Sequence, residues 1–312
     1  MIPAANNERI LFPFVRINRH AYLLGIGYLG ACVLPSIFVW NLLHRLLALI
    51  LTDETHSHIP FVLVISACFI LAYRQDIFVR HSPGWKGAGA LVFAGMANLA
   101  LARWNPHQWN STIQISLLVF GFVLIWSGAF GIFFGEGALR RAYFPLMFLL
   151  FAVPIPKPLL TEIIALLQRS SAEMVDIIFH LFRIPAARQG FDFALPGLTI
   201  RVAEECSGIR STLALVITAV VAGHIWLRSL PRTFLLSLAA VPISIAKNGV
   251  RIAVLTWLAV YVDPQFLLGS VHHQYGGMLF YGLGLLMTGV VLILLQRDRF
   301  QLPPSAPKTP ST

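Results

Sequence analysis

Charge is what this sequence has least of. Asp, Glu, Lys and Arg make up 12% of its 312 residues, against 57% hydrophobic residues. The mean hydropathy is +0.75. A soluble domain carries roughly 25% charge, so a water-facing surface wrapped around an apolar core is excluded. Whole stretches carry no charge at all: residues 21–40, 111–135 and 275–296. Each matches the ~20 apolar residues that a helix needs to cross ~30 Å of hydrocarbon. The period-two alternation of a transmembrane β-barrel is missing from these runs. A small-x-small cleavage site is missing behind the first run, which is also longer than a signal-peptide core; it is a retained span. No internal repeat and no separate soluble domain is detected. The net charge is +10, yet no basic stripe interleaved with aromatics is present. The arginines sit in pairs and triplets between apolar runs, as topology signals do, so nucleic acid is not an expected partner.

What is there predicts an all-α integral membrane protein. Eight candidate spans cover residues 21–40, 59–73, 87–102, 111–135, 142–153, 209–227, 233–246 and 275–296. Residues 1–20 form an N-terminal arm, 21–296 a single polytopic membrane domain, and 297–312 a Pro/Ser/Thr-rich tail expected to be disordered. One set of loops holds Arg9, Arg16, Arg19, Arg74, Arg80, Lys86, Arg140, Arg141, Arg228, Arg232, Arg297 and Arg299. The loops near 53–58 and 104–110 are poor in Lys and Arg. Basic loops stay cytoplasmic, so both termini are expected there, in the inner membrane of a bacterial cell. Residues 142–153 are the weak span, rising only ~18 Å as a helix before Pro154, Pro156 and Pro158. Residues 159–182 combine helical spacing with Glu162, Arg169, Glu173 and Asp176, as one or two interfacial helices would. Residues 189–203 alternate about Pro196-Gly197, a short β-hairpin signal. Residues 252–262 are too short to cross and are expected along the outer surface.

Three features can carry chemistry. Cys32 and Cys68 lie inside apolar runs and behave there as small hydrophobes. Cys206 sits directly after the hairpin and before a span, with Ser207, Gly208 and Arg210 following it. A thiol at a helix N-terminus meets the positive end of the helix dipole, and nearby arginines favour the thiolate; Glu204 and Glu205 act the other way. Lys247-Asn248-Gly249-Val250-Arg251 interrupts an apolar stretch. Arg251 is either a span-end marker or an anion clamp, for which its planar donor fork is suited; Asn248 lies one turn away on the same face. His272-His273 precedes the last span and offers a proton-transfer group. No third or fourth ligand of suitable spacing accompanies these histidines, so neither metal nor cofactor is expected. Under the topology above, Cys206, Arg251 and His272 share the outer face. That is the layout of an acyl-transfer site.

The set Glu-x-Cys-Ser-Gly-Ile-Arg-Ser at 204–211, Asn-x-x-Arg-Ile at 248–252 and His-x-x-Tyr-Gly at 272–276 resembles the exosortase/archaeosortase family. The likeness covers residues 142–296 best. It implies a membrane-embedded, cysteine transpeptidase-like enzyme that cleaves C-terminal sorting signals of the PEP-CTERM kind: a short motif, one transmembrane helix and a basic end. It assigns the nucleophile to Cys206, the arginine to Arg251 and the histidine to His272, with Asn248, Arg210, Ser207 and Gly208 in support. The expected partners are exported proteins bearing such a tail, membrane lipid and an envelope acceptor. Two departures stand out: Glu205 occupies a position where a small residue is expected, and His273 duplicates the histidine. The competing reading is a non-enzymatic transporter or assembly factor for envelope polymers, its buried polar residues lining a path.

Overall fold

The computed structural model describes residues 19–78, 86–104, 111–263 and 270–297. The expected cytoplasmic arm and disordered tail fall almost wholly outside the described residues. Contacts divide the chain into two units, one of Met1–Ile50 and Ile59–Pro154, the other of Leu51–His58 and Ile155–Thr312.

The first unit is helical. It holds α1 (Arg19–Phe38), most of α2 (Trp40–Thr52), α3 (Ile59–Ala72), α4 (Arg74–Ile77), α5 (Lys86–Trp104), α6 (Ser111–Phe134), α7 (Glu136–Arg141) and α8 (Tyr143–Phe148), the last running on as a 3-10 turn, Leu149–Ala152. Between α1 and α2 the chain bends by 93° at Val39. Helices α5 and α6 pack closely because glycines line their contact. A Cβ on Gly95 would lie 2.7 Å from the Gly121 carbonyl oxygen, and one on Gly128 would lie 2.6 Å from that of Ala88. Apolar matter on either side gives helices in lipid no hydrophobic reason to associate, so close backbone approach of this kind is what binds them. Buried hydroxyls tie helices to neighbouring backbone: Ser66 Oγ donates to the Pro145 carbonyl at 2.7 Å, and Ser116 Oγ donates to the Pro154 carbonyl at 2.7 Å.

The second unit holds α9 (Lys157–Leu181), a three-stranded antiparallel sheet, α10 (Ile209–Ala222) with a π-helical turn to Leu227, α11 (Leu230–Tyr261) and α12 (Ser270–Arg297). The strands are β1 (Ala187–Gln189), β2 (Asp192–Leu195) and β3 (Leu198–Arg201), in spatial order β1-β2-β3. Phe193 pairs with Ile200 across the Pro196-Gly197 turn, and Arg188 pairs with Phe193 on the other side. The sheet is one strand larger than a hairpin. Phe193, Leu195, Ile200 and Val202 bury one face against Ala172, Val175 and Phe179 of α9 and Ala253 of α11. A second core joins Leu215 and Ala219 of α10 to Leu236, Ala240 and Ile243 of α11, with Tyr281 and Val291 of α12 packed on it.

The spans differ from the eight expected. Among the described residues five helices are long and apolar enough to cross a membrane, or up to seven if each of two bent pairs makes one span. Residues 142–153 hold one short helix and a 3-10 turn rather than a full span. Residues 159–182 belong to one helix of 25 residues. The clearest correction concerns residues 252–262. They are no separate surface piece but mostly the last third of α11, a single helix of 32 residues, about 48 Å long. Ile252, Ala253 and Thr256 keep helical spacing with the core behind them, so nothing ends the helix at Arg251. Large apolar side chains stay exposed along the helices, among them Leu29 and Val33, Phe61 and Val64, and Leu279 and Leu286, as lipid-facing surfaces require.

Candidate active site

The chain reaches Cys206 from the sheet. Val202 closes the core: its N–H donates to Phe191 O at 2.9 Å, and its carbonyl accepts Gln168 Nε2 at 2.7 Å. Ala203 is extended and starts a 3-10 turn, Glu204–Ser207, in which Cys206 N–H donates to Ala203 O at 3.0 Å. Gly208 then turns the chain into α10 with φ 76° and ψ 17°, the left-handed region. Only glycine enters that region without a Cβ penalty. A Cβ here would also stand 3.1 Å from Asn248 Cγ. The residue that starts α10, Gly208, has no side chain to cap the helix, and the positive end of the helix lies directly after the turn that carries the thiol. Cys206 is half-buried, packed against the sheet core. None of the three cysteines is in a disulfide.

Across from the turn, α11 presents Ser244, Lys247, Asn248 and Arg251. Their spacing of three and four residues puts them on one face. Asn248 Nδ2 donates to the Cys206 carbonyl at 2.7 Å and to Ser171 Oγ of α9 at 3.0 Å. Lys247 Nζ donates to Ser211 Oγ at 2.6 Å. Ser244 shares a hydrogen bond of 2.7 Å with Thr212 Oγ1, which also reaches the Gly208 carbonyl at 2.9 Å. The Arg251 guanidinium lies within electrostatic range of both Cys206 and Arg210. Gly249, on the neighbouring face, lets α9 close in: a Cβ there would overlap Met174 at 2.4 Å.

Arg210 pairs with Glu54, a residue 156 positions earlier in the chain. Both side chains are more than half exposed, so the pair is of the surface kind, worth ~0–1 kcal/mol. Glu54 belongs to a 3-10 turn capped by Asp53, whose Oδ1 accepts Thr55 N–H at 2.9 Å. His56 in the same turn is buried, 3.2 Å from Asp53 Oδ2. Partial burial raises the Asp53 pKa, but the hydrogen bonds from Thr55 and the proximity of His56 outweigh it and hold the carboxyl below its usual range.

Nineteen residues separate Arg232 from Arg251 along α11, about 28 Å of helix and so one hydrocarbon thickness. Helix α10 with its π turn, Ile209–Leu227, spans the same distance from the Cys206 turn to Arg228. The structure therefore brings Cys206, Ser207, Gly208, Arg210, Asn248 and Arg251 together where the start of α10 meets the middle of α11. His272 and His273 lie in the first turn of α12, but their side chains are outside the described residues. Among the described residues no three His, Cys, Asp or Glu side chains converge as metal ligands would.

Sequence reasoning missed Ser171, Ser244, Glu54 and the role of Lys247. A signal existed for two of them. Ser244 and Lys247 stand four and one residues before Asn248, on the face that the Asn–Arg pair defines. Glu54 and Ser171 come from distant segments and left none.

A family model described as transmembrane exosortase matches residues 50–299. Neither a curated protein nor a solved structure matches this chain.

Proposed function

Since this chain belongs to the transmembrane exosortase family, we propose that it is a membrane-embedded cysteine transpeptidase-like enzyme. It cleaves the C-terminal sorting signal of exported proteins at the outer face of the membrane. The observation that carries this reading is the Asn248 clamp: α11 holds the Cys206 carbonyl at 2.7 Å while Arg251, one turn on, faces the thiol electrostatically. A purely structural cysteine needs neither.

In the reaction the Cys206 thiolate attacks a peptide carbonyl of the tail. The carbonyl π electrons move to oxygen, and Arg251 with the positive end of α10 stabilises that charge. The C–N bond then breaks as the leaving amine takes a proton from His272, and a thioester remains on Cys206. An incoming amine, hydroxyl or water gives its proton to His272 and attacks the thioester. The thiolate leaves, and the exported protein, already parted from its tail, has been transferred to the acceptor or released by water. Exported proteins with a motif, a transmembrane helix and a basic end are the substrates of this reading. Membrane lipid and an envelope acceptor complete the surroundings.

The test is processing of a tailed reporter in cells, followed by its size on a blot. Cys206→Ala and Cys206→Ser should abolish processing, while Cys32→Ala and Cys68→Ala leave it intact. Full function of Cys206→Ala would favour the transporter or assembly-factor reading instead. His272→Ala should be far more damaging than His273→Ala; the reverse reassigns the proton-transfer group.

A further inference from the structure

Lys247 has no task in that reaction. It is 3% exposed in the interior of a spanning helix. An ionisable residue in such a position is expensive and by default functional. It is enclosed by three helices: Ser211 of α10 accepts its ammonium, Gly284 of α12 presses on its stem, and Arg251 stands one turn along its own helix. Among the described residues no acidic side chain lies within salt-bridge distance of it. The charge it meets on its own helix, Arg251, is also positive, and Glu54 is committed to Arg210.

A buried cation among cations is stable only if a negative charge arises close by. The connectivity shows where. The ammonium donates to Ser211 Oγ at 2.6 Å, and Ser211 Oγ donates to the Gly208 carbonyl at 2.9 Å. One hydroxyl therefore links Lys247 to the turn that presents Cys206. In the same turn Ser207 Oγ is buried and has no hydrogen-bond partner among the described residues.

We propose that Lys247 is a positioning residue for Cys206: acting through Ser211, its charge holds the Cys206–Gly208 turn in the form that favours the thiolate. The inference rests on Cys206 being the nucleophile.

The experiment uses the full chain in detergent micelles, with Cys32→Ala and Cys68→Ala leaving Cys206 as the sole thiol. Iodoacetamide alkylation is followed from acidic to alkaline pH, beside the thermal unfolding midpoint. Lys247→Met should slow alkylation at neutral pH about tenfold and move its profile to higher pH. Lys247→Gln, which keeps a donor to Ser211 without the charge, should shift the profile in the same way while unfolding near the wild-type temperature. Lys247→Arg should stay within about twofold of wild type. A Lys247→Gln profile superimposed on the wild type overturns the proposal, and so does equal slowing by Gln and Arg, which would mean packing alone. If the wild-type thiol alkylates like an ordinary exposed cysteine throughout, the nucleophile reading fails first and the proposal with it.

Discussion

Gly208 and Arg251 are the residues on which the site is most sharply testable. Gly208→Ala meets two obstacles at once, a left-handed φ and the Asn248 amide. The backbone term alone is ~1–2 kcal/mol. The expected outcome is a lower unfolding temperature in micelles and loss of reporter processing, since the strain is relieved by moving the thiol. Arg251→Lys should insert normally yet cut turnover at least ~10²-fold, the scale of one lost oxyanion donor. Arg210→Lys should be milder, because a surface pair with Glu54 survives the change. A dead Arg210→Lys beside a near-normal Arg251→Lys would reverse the two assignments. Cys206, Asn248 and Arg251 were legible in the sequence because polar residues interrupting apolar runs are costly and so conspicuous. Glu54 was not, because an exposed glutamate in a loop looks the same whether or not an arginine from a distant helix reaches it.

At the scale of elements, α11 was the hardest to read. Lys247 and Arg251 looked like the end of a span, because hydropathy measures transfer to lipid and these residues face protein. Lys247 is buried against Ser211 and Arg251 is half-buried within electrostatic range of Cys206, and both leave the helix intact. The fit of α9 against α11 depends on Gly249. Gly249→Leu should force the helices apart, drag Ser171 from Asn248 and lower processing, with a matching loss of thermal stability; retention of both would mean that Met174 simply swings aside. The turn carrying Glu54 is an acid-sensitive element. Because Asp53 titrates below its ordinary value of 3.8, its ionised form stabilises the folded turn above that pH, and the contribution is lost as pH falls through the lower, folded value. Protease susceptibility near residue 54 should rise as the pH falls below 3.8.

For the whole molecule the open quantity is sidedness. On the proposed topology the basic loops are cytoplasmic, and Arg228 and Arg232 lie one membrane thickness from the Cys206 turn. A cysteine introduced at Pro196 should therefore react with an impermeant reagent from outside. Cysteines at Arg141 and Arg228 should react only after permeabilisation. Protection of position 196 would put the sheet on the inner side and overturn the outer-face site. Composition alone made the membrane class plain. The number of crossings was not plain, because bent helix pairs and a helix longer than the bilayer share one hydropathy signal with simple spans.

Gly284 has a mechanical consequence. Its missing side chain is the notch in which the stem of Lys247 rests, 3.1 Å from where a Cβ would begin. That notch acts as a depth stop for the last helix: α12 can neither sink nor rise by a residue without driving Leu283 or Leu285 onto the lysine. Each residue of slip displaces the helix by ~1.5 Å, and an error of that size at a reacting group is enough to cost ~10²-fold in rate. His272, twelve residues earlier on the same rod, inherits its elevation from this one hydrogen atom. Gly284→Leu should consequently uncouple the two halves of the chemistry, leaving Cys206 open to alkylation while reporter processing stops.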